Sequence, residues 1–470
     1  MTLIIVLILL LGYVAIATEH ITNINKASVA MFLGVIGWLL YMFFGEYYVS
    51  ENYPLEYSAY LSGTAENVWS LRSFIAQHVF VGYVASAAEI VLFFVATMNI
   101  VSVLNANECF DFISEWMRTR NSKKLVWMVA LVTFLISFNL DNLTTVMMMI
   151  VILRKLIPNV HDRALYNCVV ILAANCGGCC SCIGDVTTLM IWVKGAVTPT
   201  AFTVGLILPA LVALAIPTYL VSRVLPERVN LTSQLGMYNG DDSVLSRWQR
   251  LLMLFVGIGG LWAIPTFHNL TKLPPFVGAM CILSILWIIY EVCNLKRMRN
   301  DVMVNNQRVP YSIQDVNSQL ILFFLGIWFA IGAIEETGAL ETMANWLDEN
   351  IHNVYIISVA LGFVSSVLDN IPLVASSISM YDVVDPADVT GSDYASAFSQ
   401  NGSYWQILAY CSAVGGSLMT IGSQAGFAVM KVERIRLKWY LRHFSWMVLL
   451  GWGAGLIVYW VTEILYEYCF

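Results

Sequence analysis

The sequence predicts an all-α polytopic membrane protein, and two features of its composition lead to that prediction. Hydrophobic residues make up 59% of the 470 residues and charged residues only 12%, whereas soluble domains carry about a quarter charged residues. Apolar runs of roughly 18 to 25 residues recur, each long enough to cross a hydrocarbon layer of about 30 Å as a helix. We therefore expect membrane lipids around the chain, and nothing in the sequence indicates nucleic-acid binding.

The apolar runs and the charged breaks between them divide the chain into two halves of the same plan. The segment 1–18 is predicted to be a retained span, because no basic residue precedes its apolar run and no small-residue cleavage site follows it. The first half, 1–235, is predicted to hold spans within 1–104, a hairpin at 125–157, a broken helix at 163–194 and a span at 201–222. The second half, 236–470, is predicted to hold spans within 250–335, a hairpin at 354–381, a broken helix at 404–430 and a span at 444–465.

The two hairpin segments are predicted to enter the membrane and return to the side they came from. Basic residues flank 125–157 at both ends, so both ends should be cytoplasmic. The segment 354–381 has acidic flanks without nearby Lys or Arg, which predicts an outward-facing mouth. Polar residues at the middle of each segment fall where the tip of a re-entrant loop would lie.

An internal repeat relates the halves. The pair Asp141-Asn142 recurs as Asp369-Asn370 at an offset of 228, and Gly177-Gly178 recurs as Gly415-Gly416 at an offset of 238. Each half then has five crossings and one re-entrant hairpin, and an odd number of crossings turns the second copy upside down. This is the inverted-repeat plan of secondary transporters, with broken helices meeting at the midplane.

The hairpin tips carry the first group of candidate site residues. Asp141, Asn142 and Thr144 lie in the first tip, and Asp369 and Asn370 lie in the second. A carboxylate at membrane depth costs about 2.5 kcal/mol or more on insertion scales, so it is tolerated mainly where it faces a cavity or a bound cation. A solvated loop tip is the alternative interpretation.

The glycine-rich breaks carry the second group. Glycines open the helix beside Asn175, Asp185, Thr187 and Thr188, and the second copy has Ser417 and Ser423 in the corresponding stretch. Free backbone carbonyls and hard oxygen side chains suit a small alkali cation. The expected site therefore has three acids, Asp141, Asp185 and Asp369, and no Lys or Arg. Glycines that serve only helix packing are the alternative.

Two further features leave their roles open. Glu89 is an unpaired acid in an apolar run, which makes it either a proton relay or a partner in a helix–helix hydrogen bond. The cluster Cys176, Cys179, Cys180 and Cys182 has no nearby His and matches no standard zinc spacing, so tight packing is favoured over a metal or redox role.

Taken together, these motifs resemble the NhaD-type sodium/proton antiporters of the ion transporter superfamily. The matching blocks are Leu140-Asp141-Asn142-Leu143-Thr144-Thr145, Ala173-Ala174-Asn175, Ile183-Gly184-Asp185-Val186-Thr187-Thr188 and Leu368-Asp369-Asn370-Ile371-Pro372-Leu373, with a weaker match at Glu19 and Asn25-Lys26. The resemblance implies a homodimer whose hairpin-containing domains move like an elevator against a scaffold. Cys179, Cys180 and Cys182 depart from the small residue, Trp and Pro usual in the family.

The function that these observations predict is exchange of Na+ or Li+ for protons across a bacterial inner membrane. Na+ would bind at Asp141, Asp185 and Asp369, with no cofactor beyond the transported ions and no enzymatic step. The nearest alternative is a sodium-coupled anion symporter for dicarboxylates or citrate, although three acids would repel such a substrate. An intramembrane aspartyl protease and a channel are more distant alternatives.

Overall fold

A computed structural model describes residues 2–22, 24–62, 67–229, 245–298, 317–385 and 393–469. These ranges are helical and contain no β-sheet, as predicted. Seven of the described helices are long and apolar enough to cross a membrane, which fits the predicted polytopic membrane protein. The predicted boundary between the halves, at residues 235 and 236, lies outside the described residues.

The described helices before residue 230 are given first. Its helices are α1 Thr2–Ala17, α2 Lys26–Phe44, α3 Glu46–Asn52, α4 Pro54–Leu61, α5 Val68–Ala106 with a π-helical turn at Ile75–Phe80, α6 Asp111–Trp116, α7 Ser122–Ser137, α8 Asn142–Leu156, α9 Val160–Gly178, α10 Val186–Val193 and α11 Pro199–Val224. The hairpin segment is thus α7 and α8, and the broken helix is α9 and α10. The short helices α3, α4 and α6 were not predicted.

The described helices after residue 244 form the second series. Its helices are α12 Arg247–Thr271 with a π-helical turn at Phe255–Gly259, α13 Pro275–Met298, α14 Ser318–Glu335, α15 Ala339–Asn350, α16 Val354–Val367, α17 Asn370–Met380, α18 Ser403–Gly415, α19 Gln424–Glu433 and α20, in which Leu437–Tyr440 and Leu441–Ser445 continue into Trp446–Cys469. Here the hairpin segment is α16 and α17, and the broken helix is α18 and α19.

Helix packing follows the same plan in both halves. In the first half α1 packs on α2, which packs on α14. In the second half α12 packs on α13, which packs on α5. Each broken helix packs against the first helix of its own hairpin segment, α9 on α7 and α18 on α16. The elements therefore meet in equivalent pairs.

Individual contacts between atoms also match between the two series of helices. A β-carbon on Gly184 would lie 2.8 Å from the Ser137 carbonyl oxygen, and one on Gly422 would lie 1.6 Å from that of Ser365. The Ser137 hydroxyl donates to the Ala174 carbonyl at 2.7 Å. The Ser365 hydroxyl donates to that of Ser412 at 2.8 Å. The equivalent partners differ by 228 residues in the hairpin segments and by 238 in the broken helices, the offsets of the sequence repeat.

Both outer ends of the first hairpin segment lie beside the start of α9. The Tyr166 hydroxyl donates to the Ser122 carbonyl at the start of α7, at 3.3 Å. Arg163 donates to the carbonyl of Ile157, just after α8, at 3.0 Å. The start of α7 and the end of α8 therefore both lie beside the start of α9.

A hydrogen bond links the end of the second hairpin segment to α15, the helix that precedes this segment. The hydroxyl of Tyr381, just after α17, donates to Asp348 Oδ1 at 2.9 Å, and Asp348 lies shortly before the start of α16. Lys194, at the end of α10, donates to the Tyr381 carbonyl at 2.7 Å. The acidic segment around α15 thus meets the end of α17 and the end of α10.

The buried carboxylate of Glu433 joins the ends of three helices. They lie at the end of the molecule that carries Arg154, Lys155 and Lys431, which we call the basic end. Glu433 accepts hydrogen bonds from Arg154 at 2.5 Å and from Arg163 at 2.8 Å, and its side chain is 2% exposed. Removing one member of a buried ion pair leaves an uncompensated charge, which costs about 3–5 kcal/mol. This triad therefore connects α8, α9 and α19.

We expect Glu433→Gln to destabilise the protein by about 1–3 kcal/mol, because the mostly buried Arg163 loses its carboxylate, whereas the Arg154 side chain is 47% exposed and screened by solvent. Thermal unfolding in detergent measures the loss. Asp382→Asn is the matched control, since Asp382 is fully exposed where it faces Lys194, and an exposed pair contributes little. An unchanged melting temperature for Glu433→Gln would show that the triad does not hold these helices together.

Candidate functional site

The two hairpin tips place a carboxylate at the start of each returning helix. Asp141 precedes α8 and accepts hydrogen bonds from the Thr144 backbone N–H at 3.1 Å and from the Thr144 hydroxyl at 3.3 Å. Asp369 precedes α17 and accepts from the Ile371 backbone N–H at 3.2 Å. Asp is favoured at such positions because its oxygens satisfy free N–H groups and face the positive end of the helix dipole.

The break between α9 and α10 places the third acid. Asp185 is 4% exposed and directly precedes α10. Its Oδ2 accepts from the Thr187 hydroxyl at 3.1 Å. The Thr188 hydroxyl donates to the carbonyls of Ser181 and Asp185, at 2.7 and 3.0 Å. Both threonines therefore fix the unwound turn that holds the carboxylate.

Asn175 connects the broken helices of the two halves. Its Nδ2 lies 2.8 Å from the Ser417 hydroxyl and 3.0 Å from the Ser423 hydroxyl. Its Oδ1 accepts from Asn142 Nδ2 at 3.3 Å and lies 3.1 Å from the Ser423 hydroxyl. The first tip, the first break and the second break therefore meet at one fully buried amide.

The second tip closes the arrangement from the other half. Asn370 Nδ2 donates to Asp185 Oδ2 at 3.2 Å, and the Asn370 backbone N–H donates to the Gly422 carbonyl at 3.1 Å. Asn370 directly follows Asp369, so the second tip contacts Asp185 through the residue next to its own acid. The structure thus brings the predicted site residues of the tips and breaks together around Asp185 and Asn175.

The expectation of a site without Lys or Arg is wrong. Lys26 Nζ, from the first residue of α2, lies 2.5 Å from Asp369 Oδ2. The two residues are 343 positions apart, so only the packing of α2 near the second tip brings them together. One signal was present in the sequence, because Lys26 is a single basic residue placed directly before a long apolar run.

Glu89 lies apart from this network. It is half-buried on α5, and its electrostatic partner is His268 of α12. In the described part of the chain, the hydrogen bonds of the site residues do not include Glu89. A role as proton relay would need a path from α5 to the tips.

The cysteine cluster lies at the end of α9 and within the first break. Cys176, Cys179, Cys180 and Cys182 are buried as free thiols. The thiols of Cys179 and Cys180 donate to the Cys176 carbonyl, at 3.2 and 3.1 Å. These contacts to the backbone favour the packing role over a metal or redox role.

A cavity of about 790 Å³ reaches the first tip from the basic end of the molecule. Lys155 and Lys431 line it near the ends of α8 and α19, and Thr144 and Lys26 line it near the site. It gives an ion in water access to the neighbourhood of the two tips.

The close approach at Gly422 yields a prediction. A methyl group there would meet the Ser365 carbonyl oxygen at 1.6 Å, so Gly422→Ala must displace the second tip from the second break. We expect loss of transport in vesicles with normal membrane insertion. Gly453→Ala is the control, since a β-carbon at Gly453 meets nothing within 4 Å. Wild-type transport by Gly422→Ala would show that this contact does not set the site geometry.

Comparison with known proteins places the chain in a family. A family model described as a citrate transporter matches residues 3–415. Two relatives from Arabidopsis thaliana are named sodium/proton antiporter 1 and sodium/proton antiporter 2. The first is 33% identical over 96% of this chain and 70% of its own length, and the second is 31% identical over 96% and 97%. An NhaD Na+/H+ antiporter from Vibrio parahaemolyticus is 28% identical over 78% of this chain and 87% of its own length. The chain belongs to the NhaD-type antiporter family.

The NhaD-type motifs coincide with the site. The blocks that begin at Leu140, Ile183 and Leu368 supply the first tip, the first break and the second tip. The chain is accordingly a multi-pass membrane protein of a transporter family.

Proposed function

We propose that this NhaD-type chain exchanges Na+ or Li+ for protons at the site formed by Asp141, Asp185 and Asp369. The observation that carries the proposal is that Asn142, next to Asp141, hydrogen-bonds to Asn175, and Asn370, next to Asp369, hydrogen-bonds to Asp185. The three acids therefore border one network of amide and hydroxyl groups. Oxygen ligands of this kind suit hard cations. The arrangement fits a transporter.

Competition would couple the two ions. A carboxylate can hold a proton or ligate Na+, but the same oxygens cannot do both. Because Asp185 is buried, the empty site is costly and favours occupancy by one ion or the other. Entry of protons would then release Na+, and entry of Na+ would release protons.

The oxygens of Asn142, Thr144, Asn175, Thr187, Thr188, Asn370, Ser417 and Ser423 would complete this site. Several of these side chains already form hydrogen bonds with one another or with Asp185. A bound cation would take the place of the hydrogen-bond donors in those contacts. Glu89 is kept as a proposed proton relay on the strength of its place in an apolar helix.

The transport motion that we propose is elevator-like. The meeting of both outer ends of each hairpin segment supports re-entrant loops, and the equivalent contacts at offsets of 228 and 238 support an inverted repeat. The hairpins and broken helices would move together against a scaffold that includes α2 and α14. We propose a homodimer by resemblance to the family, and a bacterial inner membrane as the location, although the relatives include plant and bacterial proteins.

Everted vesicles test the proposed exchange. A pH-sensitive dye should report collapse of an imposed proton gradient on addition of Na+ or Li+, and vesicles without the protein should show none. A gradient that persists through all additions of Na+, Li+ and K+ would contradict cation/proton exchange.

A sodium-coupled anion symporter is the second candidate, because the matching family model is described as a citrate transporter. The three acids argue against it, since an anion beside them is repelled at low dielectric. The Lys26 ammonium is already paired with Asp369. Accumulation of labelled citrate or succinate driven by a Na+ gradient, without proton movement, would favour the symporter.

A further inference from the structure

Lys26 is enclosed between the second tip and the scaffold. Its ammonium lies 2.5 Å from Asp369 Oδ2 on one side and 4.5 Å from the centre of the Phe323 ring, on α14, on the other. The Lys26 side chain is 16% exposed and that of Asp369 is 5% exposed. A carboxylate and an aromatic face both attract a positive charge, so this position favours the ammonium.

The approach to Asp369 passes Lys26. The large cavity is lined by Lys26 and Glu19, and a small recess is lined by Glu19, Lys26 and Asp369. The lysine side chain is therefore shared by the cavity and by the recess that contains the carboxylate. Glu19 lines both spaces and is a second acid to which a displaced ammonium could turn.

We propose that the Lys26 ammonium is a tethered competitor that occupies Asp369 when no transported cation is bound and sets the apparent affinity of the site for Na+. This inference rests on the proposed function, because it assigns Asp369 as a ligand of the transported cation. Lys26 acts by its position. Binding of Na+ requires the ammonium to leave Asp369, and release of Na+ allows it to return.

The pair also connects two parts of the molecule. Lys26 belongs to α2, which packs on α14, whereas Asp369 belongs to the second tip, which contacts Asp185 through Asn370. The ammonium of Lys26, on the scaffold helix α2, therefore neutralises the charge of Asp369 when no transported cation is bound. A bound cation would remove this contact and free the tip from α2.

The effect of Lys26 on affinity has a simple form. The apparent affinity for a ligand falls by the fraction of time that its site is free. If the ammonium occupies Asp369 for about nine-tenths of the time, its removal lowers the KM for Na+ about tenfold. A purely structural role predicts the opposite pattern, with a lower kcat and an unchanged or higher KM.

Exchange measured at one fixed pH in vesicles of the full chain tests the proposal. We expect Lys26→Gln to lower the KM for Na+ about tenfold and Lys26→Arg to stay close to wild type. Lys431→Gln is the control for loss of positive charge, because Lys431 lines the same cavity away from the tip, and its KM should hardly change. Methylammonium should inhibit Lys26→Ala competitively against Na+ and leave the wild type unaffected.

An unchanged or raised KM in Lys26→Gln, or an equal fall in Lys431→Gln, would overturn the proposal. So would the absence of competition by methylammonium in Lys26→Ala. Failure of the wild type itself to respond to Na+ would instead overturn the proposed exchange, so the two failures are distinguishable.

Discussion

Asp185→Asn should abolish Na+-driven proton release from everted vesicles. Asp185 is buried in the first break, and its carboxylate accepts hydrogen bonds from Thr187 and Asn370. An amide keeps the size of the side chain and an oxygen toward the site, but it neither binds a proton nor adds negative charge. Competition between the two ions is thereby lost.

The control for Asp185→Asn is Asp382→Asn, which neutralises an exposed acid near Lys194 and should transport as the wild type does. Both variants should insert and purify in equal amounts. Normal exchange by Asp185→Asn would show that this carboxylate does not bind the exchanged proton.

Asn175→Ala has the second largest expected effect. The amide of Asn175 contacts the side chains of Asn142, Ser417 and Ser423, so its loss leaves three buried polar groups without their partner. Because the loss of groups that orient metal ligands typically weakens metal binding 10- to 100-fold, we expect kcat/KM for Na+ to fall by about that factor. Initial rates of dye recovery over a range of Na+ concentrations give the value.

Asn167→Ala is the matched control for Asn175→Ala. Asn167 lies on the same helix and is equally buried, but its side-chain nitrogen and oxygen find no hydrogen-bond partner among the described residues. Its replacement should leave transport unchanged. Equal losses in both variants would mean that burial of an amide in α9, and not the contacts of Asn175, is what transport requires.

The positions of the helices and of their breaks could be predicted from the sequence, because they depend on local properties. Apolar runs define the spans, and Asp141 and Asp369 mark helix starts by the hydrogen bonds that a short acidic side chain makes there. The repeat offsets also aligned the contacts of Gly184 and Gly422, since an Ile-Gly pair stands at both breaks.

Contacts between distant segments could not be predicted in this way. The Lys26–Asp369 pair depends on how α2 lies against the second tip, which no local pattern encodes. The same holds for Glu336, predicted only as an acidic flank. It is 5% exposed and accepts hydrogen bonds from the hydroxyls of Tyr41, Tyr53 and Tyr83, at 3.1, 2.9 and 3.0 Å.

Binding of radioactive sodium to the purified protein, measured from about pH 6 to about pH 9, tests most directly whether cation and proton compete for the same carboxylates. Ligands that must lose a proton before binding make metal affinity depend on pH. We predict that the Kd for Na+ rises about tenfold when the pH falls by one unit if Na+ displaces one proton, and about a hundredfold if it displaces two. A Kd that stays constant across this range would contradict the account.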